Sequence, residues 1–248
     1  LQKRKVLESI EGIGPCLSRS INESSLVGQA ERELEFMGKH HIQAICYKNP
    51  DFPPLLNECN DGPVIIFTMG NHGLRCQRSL SVVGTRRATS YGKEICREMI
   101  RDLARRVPDL AIISGLAYGI DVIAHRAALE YGLPTVAVLG HGFSTIYPSS
   151  HRETAKKIVQ QGALVTDFHS GMGPERNNFL RRNRIIAGIS NATLVVESAR
   201  KGGALITADI AFSYNREVLS VPGRVTDDRS SGCNNLIKSC MATMVESA

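Results

Sequence analysis

The sequence from Gly84 to Arg87 combines a glycine, a hydroxyl and two arginines directly after a short apolar run. Glycine lets the backbone approach a ligand closely, and arginine offers permanent charge and forked N–H donors that suit phosphate. A helix beginning just beyond would add the positive end of its dipole. The segment has neither G-x-G-x-x-G nor G-K-[ST]. It therefore predicts a phosphate-binding turn without a dinucleotide cofactor, with an arginine pair solvated at a turn as the alternative.

A second glycine-rich turn follows the apolar run that ends at Ser114, and it reads Ser-Gly-Leu-Ala-Tyr-Gly-Ile-Asp. Gly115 and Gly119 bracket small residues, which favours another strand-to-helix phosphate cradle. Asp121 and His125 follow at positions i and i+4 and so share one face of the predicted helix. Such a pair can perform acid–base chemistry. Because the sequence places no nucleophile beside it, we interpret the pair as structural support for the start of the helix.

Four arginines fall between Arg176 and Arg184, together with asparagines and Phe179. The apolar residues that follow place this run at the start of a helix. Cations for the backbone and a ring for a base are the combination found in proteins that bind single-stranded nucleic acid. A solvated charge run is the alternative.

Two further glycine-rich turns also follow apolar runs. One extends from Lys201 to Thr207 and carries a cation. The other, Gly140–Gly142, precedes Tyr147, whose ring suits either base stacking or ordinary packing. Together the turns indicate an anion-binding rim longer than one nucleotide needs, which favours a polyanionic ligand.

These turns must be positioned by a scaffold in which strands and helices alternate. The apolar runs lack polar alternation, as expected for strands buried on both faces. Strand–helix alternation predicts an α/β fold with a doubly wound parallel sheet, in which ligands bind beyond the carboxyl ends of the strands. The predicted strands are 63–69, 79–83, 110–114, 135–139, 163–166, 193–196 and 217–221.

The first part of the chain has a different, polar and helical character. Residues 11–15 (Glu-Gly-Ile-Gly-Pro) resemble the hairpin of a helix-hairpin-helix unit, which directs backbone N–H groups at a phosphate; a plain glycine turn is the alternative. Three prolines within 50–54 forbid a continuing helix. We predict a helical domain over 1–48 and an α/β domain over 49–248. Because the chain begins without Met, we expect the helical domain to be truncated.

The composition bounds the class of protein. The 248 residues include 30 Lys and Arg against 24 Asp and Glu, a net charge of +6 that permits a polyanionic partner without requiring one. No apolar run approaches the ~18 residues of a membrane span, and no signal peptide is evident. Seven cysteines without C-x-x-C spacing predict reduced thiols in the cytoplasm. Histidine spacing predicts no metal site.

Taken together, the motifs resemble those of the DNA-processing protein A (DprA/Smf) family from about residue 47 onward. Each motif alone is weak, whereas their common order is specific. In that order they are Ser81–Arg86, Ser114–Asp121 with Ala124-His125, Val138–Gly142 with Ile146–Pro148, Arg182–Gly188, Gly203–Thr207, Val221–Gly223 and Gly232–Ile237.

The resemblance implies an extended Rossmann-like domain, with a mostly parallel sheet, that binds single-stranded DNA. It implies a cytoplasmic homodimer that protects incoming DNA and loads the recombinase RecA during natural transformation, with no established enzymatic activity, no cofactor and no metal. Carried over by motif, the residues implied to bind phosphate or to border the strand path are Gly84, Thr85, Arg86, Ser114, Gly115, Gly119, Phe179, Arg182, Asn183, Arg184, Lys201 and Gly203.

The sequence departs from the family pattern at three places. Leu180 stands where F-P-x-R-N-R has proline, and Cys240-Met241 replaces Gly-Ala. Gly202 and Ala204 replace the serines of S-G-S-L-I-T, so we expect fewer hydroxyl contacts there. The winged-helix domain that many members carry is not found in this sequence.

The main alternative is an enzyme, a nucleotide or nucleoside-phosphate hydrolase on a related Rossmann-like fold. It would use the same turns for a single phosphate, with Asp121 or Glu197 as acid or base. The lack of a compact carboxylate–nucleophile set and the surplus of arginines argue against it. A structural partner protein with a basic surface is the remaining alternative.

Overall fold

The computed structural model describes residues 4–22, 25–70 and 73–248. The chain divides into two compact units, residues 1–42 and 43–248. In the first unit, Gly12 has φ of +85° and Gly14 directly precedes the helix that Pro15 opens. The described helices of this unit are α1 (Arg4–Glu8), α2 (Pro15–Ile21) and α3 (Ser25–His40).

The second unit is built on one sheet, which has nine strands within the described residues. Its strands are β1 (Gln43–Cys46), β2 (Ile65–Gly70), β3 (Ser79–Gly84), β4 (Ala111–Ser114), β5 (Thr135–Val138), β6 (Ala163–Thr166), β7 (Ala192–Glu197), β8 (Glu217–Ser220) and β9 (Thr243–Met244). Their order is β1-β2-β6-β5-β4-β3-β7-β8-β9. The β1–β2 and β2–β6 pairs are antiparallel and the others are parallel. This confirms the predicted mostly parallel, Rossmann-like α/β fold.

The central strands are buried on both faces. Val83 and Ile113 belong to an apolar cluster with side chains of two helices that follow β6 and β7, whereas the adjacent Val82 and Ile112 pack with helices that follow β3 and β4. Because successive side chains of a strand point to opposite faces, both faces are apolar and polar alternation disappears. The helices of this unit are α4 (Pro54–Asn57), α5 (Ser90–Arg106), α6 (Ile120–Glu130), α7 (Arg152–Gln161), α8 (Arg176–Gly188), α9 (Gly203–Ser213) and α10 (Ser231–Lys238).

The structure differs from the sequence interpretation around the join of the two units. Gln43–Cys46, which we interpreted as helical, forms β1 and pairs antiparallel with β2. The two units consequently meet between Ile42 and Gln43, ahead of the predicted division between 48 and 49. The strand has four residues and gains its conformation from its neighbour, so local sequence alone gives little signal.

The composition led us to expect reduced cysteines and no membrane-spanning segment. All seven cysteines are free thiols. None of the helices in the described part of the chain combines the length and the apolarity needed to cross a membrane.

His125 is a fully buried link between α6 and β5. Its Nδ1 lies 2.7 Å from the hydroxyl of Thr135, which itself donates to the carbonyl of Ile112 at 2.8 Å. The imidazole therefore donates through Nδ1. Its buried Nε2 has no hydrogen-bond partner among the described residues, so a second proton there would lack an acceptor and the ring is neutral. Burial, with Arg182 adding repulsion, lowers the pKa of His125 from 6.5 to about 3.

The buried neutral imidazole makes the fold sensitive to acid. Between the folded pKa of about 3 and the unfolded pKa of about 6.5, the unfolded chain binds more protons, so stability decreases as the pH falls. From about pH 7 to pH 5.5, this one group should remove about 1 kcal/mol from the free energy of unfolding. His125→Asn, which keeps an amide near the Nδ1 position, should lose that component. Urea unfolding of both proteins at the two pH values measures it, and an identical pH dependence would contradict the assignment.

Candidate functional site

The candidate site lies at the point in the sheet where successive strands stop being added on one side of β3 and begin to be added on the other. From β3 the chain proceeds through β4 and β5 to β6 on one side, and then returns to β7 on the other side of β3. Such a switch point leaves a crevice beyond the carboxyl ends of the two diverging strands. A cavity of about 290 Å³ occupies this place. The predicted site residues that line it are Gly84, Thr85, Arg86, Asp121, Phe179, Arg182, Asn183, Lys201 and Gly203.

The turn after β3 is anchored by a carboxylate from β7. Glu197 is buried, and its backbone carbonyl accepts from the N–H of Thr85 at 2.7 Å. Its side chain accepts from the N–H of Thr89 at 2.9 Å and from the Thr89 hydroxyl at 2.7 Å. The same hydroxyl caps α5 by accepting from the N–H of Gly92. We expected the α5 N-terminus to face a ligand, but this carboxylate already occupies it, which leaves Glu197 as a positioning residue.

The open helix N-terminus belongs to α9 instead. Gly202 precedes α9, and no side chain in the described part of the chain caps this end. Gly203 is exposed, and a Cβ built on it would have no heavy atom within 4 Å. Lys201 is also exposed, at the same rim. Free N–H groups, the helix dipole and a lysine at one edge of the cavity form an arrangement that suits a phosphate.

Contact between two glycine-rich turns shapes the opposite edge. Gly119 has φ of +77°, and a Cβ there would collide with the carbonyl oxygen of Thr85. That carbonyl accepts from the N–H of Ile120 at 3.2 Å. The absent side chain of Gly119 thus lets the turn after β4 support the turn that carries Arg86. Gly119 lies behind the cavity rather than on its wall.

Arg182 forms the floor of the cavity. It is 4% exposed, and its Nη1 donates to the carbonyl of Gly115 at 2.8 Å and to the carbonyl of Val138. A Cβ on Gly115 would lie 2.6 Å from the guanidinium carbon, so only glycine admits this side chain. Burial lowers the pKa of Arg182 to about 10, and Asp121 opposes that shift. Ser114 lies deeper still and donates to the carbonyl of Val82 at 2.6 Å.

Asp121 is buried beside this cation. Its Oδ2 accepts from the N–H of Ala117 at 3.3 Å, which fixes the turn after β4. Burial raises the pKa of Asp121, while Arg182 and that N–H act in the opposite direction. His125 points its Nδ1 at Thr135 rather than at this carboxylate. Asp121 and His125 thus lie on one face of α6 but make separate hydrogen bonds, Asp121 to the turn after β4 and His125 to β5.

An aromatic surface lies beside the exposed Arg86. The guanidinium carbon of Arg86 is 5.7 Å from the centre of the Phe179 ring, and that of Arg182 is 6.0 Å from it. The Tyr147 ring is 5.7 Å from the Phe179 ring and is 45% exposed. A Cβ on Gly140 would lie 2.6 Å from the Phe179 ring, so this glycine admits it. Tyr147 was not among the predicted site residues, although its ring was considered for base stacking.

Arg184 points away from the cavity. Its guanidinium pairs with Asp167 at 2.6 Å and also donates to the carbonyl of Asp61. Asn183, one position earlier, is buried and lines the cavity. Adjacent positions of a helix point about 100° apart, which separates the two residues. Among the described residues, no group of three or more His, Cys, Asp or Glu side chains is arranged to hold a metal ion.

The fold and the cleft define a doubly wound α/β protein with cationic and aromatic groups at the switch point of its sheet. The sequence profile of the family described as DNA recombination-mediator protein A matches residues 43–248. The chain belongs to this family, as the motifs indicated.

Curated relatives agree with this assignment. The putative DNA processing protein DprA of Mycobacterium tuberculosis (strain ATCC 25618 / H37Rv) is 42% identical over 239 residues, which are 91% of this chain and 61% of that protein. The DNA processing protein DprA of Streptococcus pneumoniae is 36% identical over 187 residues, 75% of this chain and 65% of that protein. The chain therefore spans less than two thirds of the length of these relatives.

Two solved structures share the fold. The X-ray structure of DNA processing protein A from Streptococcus pneumoniae matches with a TM-score of 0.87 at 29% identity, covering 100% of this chain and 84% of that one. A structure of DNA processing protein A from Helicobacter pylori matches with a TM-score of 0.73 at 26% identity, covering 83% of this chain and 92% of that one. The latter is described as revealing how that protein binds single-stranded DNA.

Two glycines of the site should respond differently to an added methyl group. Gly115→Ala places a Cβ against the guanidinium of Arg182 and should reduce the free energy of unfolding by about 1–3 kcal/mol. Gly203→Ala places its Cβ in open space and should change stability by less than about 1 kcal/mol. Urea unfolding of the two variants beside the unsubstituted protein tests this. Equal stability of the two variants would show that Gly115 is not required for the close packing of Arg182.

Proposed function

We propose that this chain is a single-stranded DNA-binding recombination mediator and that the cleft between β3 and β7 holds the strand. One observation carries the proposal: the exposed Arg86 and the ring of Phe179 face the same cavity as the uncapped N-terminus of α9. Cations together with stacking rings suit a nucleic acid strand whose bases are unpaired. The single-stranded DNA binding described for the Helicobacter pylori protein supports this assignment.

The proposed contacts divide by exposure. Arg86 and Lys201 are exposed and take phosphates directly, assisted by the N–H groups at Gly203. Phe179 stacks on a base, with Tyr147 beside it. Binding of this kind is insensitive to sequence because every base has a face that can stack and every nucleotide has a phosphate.

The buried and half-buried members of the predicted set have an indirect role in this proposal. Arg182 holds the floor of the cavity and contributes its charge from below, while Ser114, Gly115 and Gly119 shape the turns. Gly84 and Thr85 place Arg86, and Asn183 closes the wall beside Phe179. Arg184 contributes to the strand path only beyond the cavity, because it is engaged with Asp167.

Protection of incoming DNA, RecA loading, homodimer formation and a cytoplasmic location are part of the same proposal. The description of the family as a recombination mediator supports RecA loading.

The hydrolase alternative is less well supported. Glu197 uses both carboxylate oxygens to hold the turn at Thr89. Asp121 is buried and fixes the turn at Ala117. Each carboxylate that was considered as an acid or base thus has a structural task.

Oligonucleotide binding tests the proposed site. A labelled oligo-dT of about 30 nucleotides is titrated by fluorescence anisotropy at several salt concentrations. Arg86→Ala and Lys201→Ala should each weaken binding and reduce the slope of log K against log salt by about 0.7, because each removes one phosphate contact.

Arg105→Ala provides the matched control, since this exposed arginine lies in the last turn of α5 and outside the cavity. It should leave affinity and slope unchanged. Unaltered affinity in the double variant Arg86→Ala/Lys201→Ala would refute the proposed site. Turnover of mononucleotides without binding of the oligonucleotide would instead favour the hydrolase.

RecA loading has a separate readout. ATP hydrolysis by RecA is followed on single-stranded DNA precoated with a single-strand-binding protein, in the presence and absence of this chain. A mediator should shorten the lag before hydrolysis, and Arg86→Ala should diminish that effect because the strand is held less tightly. An unchanged lag, with oligo-dT binding intact, would confine the function of this chain to DNA binding.

A further inference from the structure

A buried histidine lies in the segment between β5 and α7. His141 is 1% exposed. Its Nδ1 lies 2.9 Å from the carbonyl oxygen of Gly142, and its Nε2 accepts from the backbone N–H of Tyr147 at 3.2 Å. One imidazole thus joins the two ends of the loop that leads to the exposed ring of Tyr147.

These two partners determine the tautomer and the protonation state of the imidazole. A carbonyl can only accept, so Nδ1 carries the proton, and a backbone N–H can only donate, so Nε2 has a free lone pair. The ring is therefore neutral. Burial lowers the pKa of His141 and Arg182 on α8 lowers it further, whereas the hydrogen bond to the carbonyl of Gly142 acts in the opposite direction.

The backbone of His141 is held without help from its ring. Its carbonyl accepts from the hydroxyl of Thr166 at the end of β6, at 2.9 Å. The N–H of Gly142 donates to the carbonyl of Met172 at 2.8 Å. Because the main chain is anchored in this way, loss of the imidazole acceptor acts chiefly on the far end of the loop, where Tyr147 begins its approach to Phe179.

We propose that His141 is a positioning residue that fixes Tyr147 beside Phe179, so that both rings form one base-stacking surface in the cleft. The inference rests on the proposed function, since it assigns the geometry of the same DNA site. Its chemistry is specific: what matters is a hydrogen-bond acceptor at the Nε2 position. The phosphate contacts of Arg86 and Lys201 do not depend on it.

Two amide substitutions test the roles of the two ring nitrogens of His141 separately. The oxygen of His141→Gln can reach the position of Nε2 and retain the acceptor for Tyr147. His141→Asn keeps an amide near Nδ1 but is too short to reach that N–H. We expect His141→Gln to bind oligo-dT nearly as the unsubstituted protein does and His141→Asn to bind about three- to tenfold more weakly. The salt slope should be unchanged in both, because no phosphate contact is lost.

A fluorescent reporter reads the ring position without DNA. The chain contains no tryptophan, so Tyr147→Trp introduces a single indole at the proposed surface, whose emission is excited apart from that of the tyrosines. In this background, added His141→Asn should shift the emission to longer wavelength as the indole leaves Phe179, and His141→Gln should shift it less. Oligo-dT should quench the emission strongly with His141 or Gln and weakly with Asn.

A second route removes the ring and leaves the histidine in place. Tyr147→Leu should weaken oligo-dT binding as much as His141→Asn does, and the double variant should be no weaker than either single one, because both changes disable the same surface. Additive losses would overturn the proposal, as would equal affinities and emission spectra for the Asn and Gln variants.

These experiments distinguish failure of the positioning role of His141 from failure of the proposed function. If the unsubstituted chain fails to bind oligo-dT, the proposed function fails, and the DNA-free emission still tests whether His141 positions residue 147. If the chain binds and Arg86→Ala weakens it, but His141→Asn leaves affinity and emission unaltered, the function stands and the positioning role is refuted.

Discussion

The cleft depends on one buried cation. The guanidinium of Arg182 reaches from α8 into the space left by Gly115 and donates to carbonyls at the ends of β4 and β5. A charge taken out of water is expensive unless hydrogen bonds and an opposite charge compensate for it. Asp121 supplies that opposite charge from α6. Two helices and two strands are thereby tied to one point, and the turns above them can remain open toward solvent.

Above this floor, the two strands that flank the switch point use their carboxyl ends differently. At β3 the helix N-terminus is satisfied internally, because Glu197 accepts hydrogen bonds from Thr89, and Arg86 stays exposed on the turn before it. At β7 the following helix has no side-chain cap among the described residues, and its N–H groups face the cavity. The carboxylate of Glu197 therefore fixes the turn on the β3 side of the cleft, whereas the free N–H groups of α9 stay open to a ligand on the β7 side.

The sequence predicted the parts of this arrangement that depend on pattern. Both-face burial of strands such as β4, with Ile112 and Ile113 in different apolar clusters, removes polar alternation and indicates a parallel sheet. Glycine-rich turns at strand ends marked the edge where the cavity lies. Which arginine of α8 lines the cavity could not be predicted, because Arg182 and Arg184 lie in the same sequence run and differ only in what surrounds them. The acceptor role of Glu197 was equally hidden, since it depends on pairing between β7 and β3. The short β1 owes its conformation to β2 and was interpreted as helix.

The sheet order also has a consequence for how the chain folds during synthesis. β3 is synthesised early, yet one of its two edges pairs with β7. Leu80 of β3 therefore has no partner on that edge until Ala192 of β7 has been synthesised. At translation rates of about 5–20 residues per second, the roughly 110 intervening residues take about 6–20 seconds to emerge. Throughout that interval β3 has an unpaired, apolar edge of the kind that recruits other strands. The crevice at the switch point therefore forms only after β7 has emerged, when β7 pairs with this edge of β3.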